Sequence, residues 1–276
     1  VFRLASVSKP IVSTAALVLV AQGRLGLDDS VERWLPEFRP RLADGCAARI
    51  TVRHLLSHTA GLGYRFFETD AHGPYAQADV SDGMDASTVS LTENLSRIAS
   101  VPLLYEPGTA WGYSVATDVL GAVIQRVQGK QLADAVRQLV TDPLRMTDTG
   151  FAAFDPSRVA TAYVSATPEP HALAEGEIVS PFEGAIGIPF SPARIFNPHA
   201  FASGGAGMAG TAEDFLRLLE TLRRGGGELL PTALVEEMAR DQTGGRELPA
   251  APGFGFGLGF SILRDPALAV TPESPG

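Results

Sequence analysis

The chain has 276 residues, is 45% hydrophobic and 19% charged, and carries 22 basic against 31 acidic residues for a net charge of −9. That balance describes an ordinary globular chain, long enough to bury a sizeable core as one large domain or two small ones, and the lack of a basic block argues against a nucleic-acid partner. The single Cys46 excludes an internal disulfide, and the histidines fall in no metal-ligand spacing: between His54 and His58 stand only Leu-Leu-Ser, without a zinc-protease glutamate.

The chain opens on Val1-Phe2-Arg3-Leu4-Ala5-Ser6-Val7-Ser8-Lys9-Pro10, so Ser6 stands three residues before Lys9 at the entry to an apolar run, Ile11 to Ala21. On a helix such residues share a face, and Ser6 Oγ and Lys9 Nζ then point into one cleft. A serine hydroxyl becomes a nucleophile when a base takes its proton. A lysine is that base only when burial, a nearby cation or a helix N-terminus lowers its pKa. Taken alone the pair is weak, and reads more readily as a capping serine and a surface lysine. The apolar run is too short to span a membrane, and Arg3 alone makes a poor basic region for a signal peptide. Apolar residues on all its sides predict a buried helix, with Pro10 in the first turn and Gly23 as its stop.

Leu25 to Val31 leads to a small helical piece ending near Pro36. Ile50 to Leu56 reads as a short helix capped by Thr51, with Ile50 stapled onto Leu55. Residues 64–90 are polar, contain Gly73-Pro74 and Asp82-Gly83 and show no sustained period, which marks a lid or a variable insert. Ser90 to Ser100 resumes as a helix with Ser90 and Glu93 as a capping box. Pro107-Gly108 and Gly112 mark a tight approach to Tyr113. Ser114 then caps a helix carrying Leu120, Ile124 and Val127 and ending at Gly129. Leu132 to Val140 is a further helix, Val159 to Val164 has strand character, and 165–200 read as a second long insert. Ser203 to Met208 is a Gly-rich turn and not a phosphate loop, since no Lys-Ser/Thr follows it. Thr211 caps a helix over Phe215 to Leu222, stopped by Gly225-Gly226-Gly227, and Pro231 opens another to about Arg240. Phe254 to Leu263 reads as one glycine-alternating strand whose bare face invites close approach of a neighbouring backbone. Asp265-Pro266 begins a turn.

Five of these segments, in this order, resemble the serine β-lactamase-like superfamily, and within it the family VIII carboxylesterases of the esterase B type. They are Phe2-x-Leu4-Ala5-Ser6-Val7-x-Lys9-Pro10, Leu55-Leu56-Ser57-His58-Thr59-x-Gly61-Leu62, Pro107-Gly108-x4-Tyr113-Ser114, Pro143-Leu144-x-Met146-x2-Thr149-x-Phe151, and Gly204-Gly205-x-Gly207. The resemblance implies an α/β (α+β) fold of the β-lactamase/DD-peptidase type: a mixed α/β domain with an antiparallel sheet, drawn from roughly 1–30 and 155–276, packed on a mostly helical domain over roughly 31–154. It implies a cleft between them in which Ser6 is acylated and Lys9 and Tyr113 form the base and proton relay. Which of the two is the base stays open at this point; a buried ammonium beside the phenol is expected to lower the Tyr113 pKa. Trp111, Phe66 and Phe67 either line an acyl pocket or pack in the core, and are carried as substrate-binding candidates. His58 tempts toward a Ser-His-Asp triad, but no Gly-x-Ser-x-Gly elbow accompanies it, so a buried structural histidine is the better reading. Gly204 and Gly205 read as backbone necessities beside the cleft, and Ser203 as a turn residue.

Departures from the pattern matter too. Relatives that cleave β-lactams carry Tyr-x-Asn where this chain has Tyr113-Ser114-Val115, which favours esters, short-chain ones first. The third motif, Lys-Thr-Gly or its His-x-Gly and Trp-Gly-Gly variants, is not found in 1–276. The chain therefore reads as one hydrolase unit truncated at both ends, with its first helix short of apolar cover and the isolated piece poorly folded. The resemblance implies a small-molecule ester as partner, no cofactor, no bound metal, no membrane span and a cytoplasmic location; oligomeric state is not readable. The alternatives are a β-lactamase or D-amino-acid peptidase, and a catalytically inactive penicillin- or peptidoglycan-binding module.

Overall fold

The computed structural model describes residues 1–152, 155–249 and 251–269. The chain enters as β1 (Phe2–Arg3), makes a 3-10 turn over Ala5–Val7 and continues as α1 (Ser8–Ala21). Then follow α2 (Val52–Leu56), α3 (Pro74–Gln77), α4 (Leu91–Ser100), α5 (Ala116–Gln128) and α6 (Leu132–Val136). The second half holds β2 (Tyr163–Val164), β3 (His171–Ala172), β4 (Ile178–Val179), β5 (Ile188–Pro189) and β6 (Ala209–Gly210). It closes with α7 (Ala212–Arg223), α8 (Thr232–Met238), β7 (Phe254–Phe256) and β8 (Ser261–Leu263). The strands pair two by two and antiparallel: β1 with β6, β2 with β3, β4 with β5, β7 with β8. Among the described residues no strand falls between 31 and 154. No described helix is long and apolar enough to cross a membrane.

The core is built on α1. Ile11, Val12, Ala15, Ala16, Leu17 and Leu19 have no exposed surface. A helix apolar on every side needs neighbours on every side, and here α5, α6 and the turn after α6 pack against it. Each of the larger ones, Ile11, Val12, Leu17 and Leu19, contributes roughly 1.5–3 kcal/mol of transfer free energy. The expectation that the first helix lacks cover is therefore not met. Val119, Leu120, Val123 and Ile124 of α5 are equally buried against it.

Local capping follows the sequence with three exceptions. Thr51 Oγ1 accepts from the His54 N–H at 3.2 Å while His54 Nδ1 accepts from the Thr51 N–H at 3.3 Å, a capping box with histidine in the place of glutamate. Ser90 caps α4 through the Glu93 N–H at 3.1 Å, but the Glu93 carboxylate turns to Arg97 at 3.3 Å, so only half of that box forms. Ser114 does not cap α5: Val115 occupies that position, and the Ser114 hydroxyl lies 3.2 Å from His58 Nδ1 instead. The helix from Leu132 widens into a π-turn over Arg137–Thr141 rather than running evenly to Val140.

Strand expectations need more correction. Only Tyr163–Val164 of the Val159–Val164 segment pairs. Phe254 to Leu263 is a hairpin, not one strand, with Phe254 opposite Leu263 and Phe256 opposite Ser261. Its glycines do mark close approach: a side chain at Gly257 would collide with the Met238 carbonyl, and one at Gly259 with Ser13 of α1. The turn after it holds over Asp265 to Leu268, closed by the Leu268 N–H on the Asp265 carbonyl at 3.2 Å; residues 270–276 lie outside the described residues.

The two long inserts are not plain loops. The 64–90 segment contains a 3-10 turn at Arg65–Phe67 and α3, whose first N–H groups at Tyr75 and Ala76 donate to the Glu68 carboxylate at 2.7 and 2.9 Å. The 165–200 segment folds back onto it. The Ile186 N–H donates to the Glu68 carbonyl at 2.9 Å and the Ser191 N–H to the Met84 carbonyl at 2.8 Å. Buried Arg194 donates to the carbonyls of Asp85 (2.9 Å), Ser87 (3.3 Å) and Phe201 (3.1 Å). Together the inserts roof one side of the region where α1, the 105–115 loop and the Gly-rich turn meet.

Candidate active site

Ser6 sits in the 3-10 turn just ahead of α1, held by pairing on both sides. β1 lies against β6 with Arg3 opposite Ala209, and the Leu4 N–H donates to the Met208 carbonyl at 2.8 Å. The Met208 N–H returns to Ser8 Oγ at 3.1 Å. Ala5, the residue before Ser6, has φ 44°. A non-glycine residue in the left-handed region is strained, and such strain persists where the surrounding structure over-determines the backbone. The turn exposes Ser6 while the first turn of α1 carries Lys9 inward, to 4% exposure. Lys9 Nζ lies 3.1 Å from Ser6 Oγ and donates to the Gly205 carbonyl at 2.8 Å. The Tyr113 ring, carried by the loop before α5, has its centroid 4.5 Å from Lys9 Nζ, and that of Tyr64 lies at 5.4 Å. Two segments far apart in sequence, the entry to α1 and the loop before α5, thus bring Ser6, Lys9 and Tyr113 together.

Burial sets the charges of this cluster. It pushes the Lys9 amine down to about 7, against the opposing pull of the Asp118 and Asp82 charges. It pushes the Tyr113 phenol up to about 12, against the neighbouring Ser6 hydroxyl and with the Asp118 charge adding to the rise. The expected lowering of the Tyr113 pKa does not occur, because desolvation of the phenolate outweighs a cation that has itself lost much of its charge. Burial, then repulsion from Asp85, pushes the Asp82 carboxyl up to about 8, and neither of its oxygens has a hydrogen-bond partner among the described residues. Burial also raises Asp118, against the hydrogen bond from Ser203 and the charge of Lys9. Sequence reasoning passed over Asp82, Asp118 and Tyr64. Asp118 reads as an ordinary acid in the first turn of α5, and Asp82-Gly83 as a turn.

His58 is a scaffold. It is buried, burial followed by the Lys9 charge holds its imidazole well below the usual histidine range, and its ring centroid lies 4.8 Å from that of Tyr113 and 5.2 Å from that of Phe256. Its carbonyl accepts from the Gly112 N–H at 3.0 Å and the Tyr105 hydroxyl at 3.3 Å, which fixes the loop that delivers Tyr113. Val115 is fully buried, with its N–H on the Gly63 carbonyl at 3.1 Å, so it presents no polar group to the cleft.

Beside Tyr113 opens a cavity of about 670 Å³ walled by Tyr64, Phe67, Leu104, Trp111 and Phe182 among others. Its one charged wall residue, Glu68, is already engaged by the N–H groups of α3. Phe67 stacks on Phe182 at 5.9 Å, which joins the two inserts over the cavity. Trp111 and Phe67 therefore line a pocket, whereas Phe66 is buried, stacked on Tyr64 at 4.4 Å, and does not. A second cavity, about 800 Å³, lies along the C-terminal end of α1 between Gln22, Leu139 and Leu229, and holds none of the candidate residues. The first adjoins the Ser6, Lys9 and Tyr113 cluster through Tyr113.

The family model for the beta-lactamases matches residues 1–270. The chain belongs to the beta-lactamase family. This beta-lactamase-family chain is 49% identical over 276 residues to Esterase EstB of Burkholderia gladioli, covering 100% of this chain and 70% of the relative. Among solved structures it matches EstCE1, a hydrolase with promiscuous acyltransferase activity, with a TM-score of 0.94 and 43% identity over 99% of this chain and 72% of the other. A D-stereospecific amidohydrolase from Streptomyces matches at a TM-score of 0.68 and 27% identity over 94% and 70% of the two chains. The β-lactamase/DD-peptidase-like fold, mixed in helices and antiparallel strands, is thereby shown.

Proposed function

We infer that this chain is a serine carboxylesterase that works through an acyl-Ser6 intermediate, with Lys9 as the base. The observation that carries this reading is the pair itself: an amine titrating near neutrality, 3.1 Å from an exposed serine hydroxyl on a strained turn. Ser6 Oγ attacks the ester carbonyl carbon as its proton passes to the neutral Lys9 amine. The tetrahedral intermediate collapses, the C–O bond to the alcohol breaks, and the leaving oxygen takes that proton from Lys9 with the Tyr113 hydroxyl as relay. A phenol near 12 stays protonated at neutral pH, so it donates and relays rather than serving as the resting base. Water then attacks the acyl carbonyl and gives its proton to Lys9; the second tetrahedral intermediate collapses, the C–O bond to Ser6 breaks, and Ser6 Oγ takes that proton from Lys9 as the acid leaves. The strands fall in 1–30 and 155–276, which supports the division into a mixed domain and a helical one over 31–154, with the site between them.

The substrate is a small neutral ester, short-chain esters among them, with Trp111 and Phe67 contacting its apolar part. The absence of an amide at Val115 supports esters over β-lactams. EstB carries esterase in its name, and that likeness supports the same reaction here. The exposed free Cys46 needs no oxidising compartment, which supports a cytoplasmic location. A fluorophosphonate should label Ser6 in the intact protein, with label and ester hydrolysis both lost in Ser6→Ala. Folded protein that takes no label overturns the reading, and faster turnover of a chromogenic cephalosporin than of a nitrophenyl ester turns it toward a β-lactamase. The apolar cavity favours a second activity, transfer of the acyl group to an apolar alcohol seated there in competition with water, in keeping with the acyltransferase activity of EstCE1.

A further inference from the structure

Lys9 is held by a carbonyl, and that carbonyl belongs to one of the most constrained pieces of backbone in the molecule. Gly205 approaches α5 so closely that a Cβ there would lie 2.7 Å from Asp118 Oδ2 and 3.1 Å from the Tyr64 hydroxyl. At Gly204 a Cβ would meet the Thr117 carbonyl at 2.5 Å. Real Cβ atoms do not sit that close to a backbone carbonyl, so Gly204 lets the turn press on α5, and Gly205 leaves the space taken by the Asp118 and Tyr64 side chains. On the α5 side the turn is tied by one carboxylate oxygen. Asp118 Oδ1 accepts from Ser203 Oγ at 2.7 Å and from the Gly205 N–H at 3.3 Å. Ser203 Oγ in turn accepts from the Ala206 N–H at 3.1 Å. Asp118 and Ser203 have no exposed surface, and Asp118 Oδ2 has no partner among the described residues.

We propose that Asp118 is the positioning residue of the active site: through Ser203 and the Gly205 N–H it fixes the carbonyl that aims Lys9 Nζ at Ser6, and its charge sets the pH at which Lys9 acts. The proposal rests on the reading of Ser6 and Lys9 as nucleophile and base. The two halves of the role are separable. The clamp is geometric and needs the oxygen; the tuning is electrostatic and needs the charge. Burial is the largest influence on the Asp118 carboxyl and raises it; the two donors on Oδ1, the charges of Lys9 and Arg194, and its place in the first turn of α5, where the helix dipole favours an anion, work against that rise and toward the charged form. Around Lys9 the other groups that set its field are Asp82 from the segment before α4, Tyr64 and His58 from the stretch following α2, and Tyr113 from the loop before α5. Asp118 opposes the desolvation of the ammonium more than Asp82 does.

The test compares Asp118→Asn with Ser203→Ala in the intact protein, using kcat and KM for a nitrophenyl ester across pH, alongside thermal unfolding. Asn keeps an oxygen for Ser203 and Gly205 but removes the charge. The acid limb of kcat/KM should move to lower pH by roughly one unit or more, since an opposite charge at close range shifts a pKa by about 1–3 units. Ser203→Ala keeps the charge but frees the turn; kcat should fall about tenfold with KM and the acid limb in place. A merely structural Asp118 lowers the unfolding temperature without moving the limb. An unmoved limb in folded Asp118→Asn overturns the proposal, as does wild-type kcat in Ser203→Ala, which also decides the matter if the Asp118 variant does not fold. Fluorophosphonate labelling of wild-type Ser6 separates the two levels: labelling with an unmoved limb sinks the Asp118 role alone, whereas no labelling sinks the nucleophile on which it stands.

Discussion

Replacing Lys9 by methionine probes the protonation state of the site directly. Burial lowers the Lys9 amine from 10.5 to about 7. At about 1.36 kcal/mol per pKa unit, that gap corresponds to about 5 kcal/mol between the charged and neutral forms inside the fold. The sign follows from proton counting. Between pH 7 and 10.5 the unfolded chain holds a proton on Lys9 that the folded chain has released. Stability therefore rises with pH across that window, and below pH 7 the full penalty of a buried ammonium is present. Lys9→Met removes the penalty, and gives up hydrogen bonds to Ser6 and Gly205 worth about 1 kcal/mol each. The variant should gain a few kcal/mol over wild type at pH 6 relative to the same comparison at pH 10. Urea unfolding at the two pH values reads this out. Hydrolysis should drop at least 10²–10⁴-fold, the usual contribution of a general base, and wild-type kcat/KM should rise with pH through a midpoint near 7. An acid limb centred at pH 9 or above, with no pH dependence in the stability difference, would refute the assignment of Lys9 as a desolvated base.

Two more predictions concern the surroundings. Asp82→Asn removes a carboxyl raised by burial from 3.8 to about 8. The folded wild type holds that proton while the unfolded chain releases it, so its contribution to stability falls between pH 4 and 8. In the variant that decline, on the order of 5 kcal/mol at most, should flatten, and an unchanged stability-pH curve sinks the idea. Phe182→Ala opens the cavity roof where Phe67 stacks. The ratio of kcat/KM for a phenylacetyl ester over the acetyl ester should fall about 3–10-fold, the equivalent of one aromatic pair. This ratio reports the acyl group seated in the cavity; an unchanged ratio leaves the cavity to the alcohol side of the ester, as the acyl-transfer reading has it.

The proposed nucleophile and its partners were legible because their signals are local. Ser6 and Lys9 share a helical spacing, and the Pro107-Gly108 and Gly112 punctuation announces Tyr113. The buried α1 was legible for the same reason, as was the capping by Thr51 and Thr211. What the sequence hid is what tertiary packing decides. Ser114 looks like a cap, yet the chain bends so that its hydroxyl meets His58, and α5 starts a residue later. Phe66 and Phe67 are adjacent and chemically identical, yet the 3-10 turn at Arg65–Phe67 sends one into the core and the other to the cavity. The glycines from Phe254 onward carry strand periodicity on either side of a turn, so nothing local separates one long strand from a hairpin. Asp118 has the most misleading signal, since an acid in the first turn of a helix is what the dipole alone explains.

Asp82, Asp118 and Lys9 make sense as one set of charges. At low pH Lys9 is an ammonium and Asp82 is neutral. At high pH Lys9 is neutral and Asp82 is a carboxylate, which adds negative charge to the cleft. The tetrahedral intermediate is itself an anion, so its formation is opposed in the second state. Its base is available only once Lys9 has lost its proton, so it is starved in the first. A neutral amine beside a neutral Asp82 is favoured between these two states, around neutral pH. A buried carboxyl with no hydrogen-bond partner is costly to a fold. Here the same desolvation that makes it costly keeps it uncharged beside a reaction that builds negative charge.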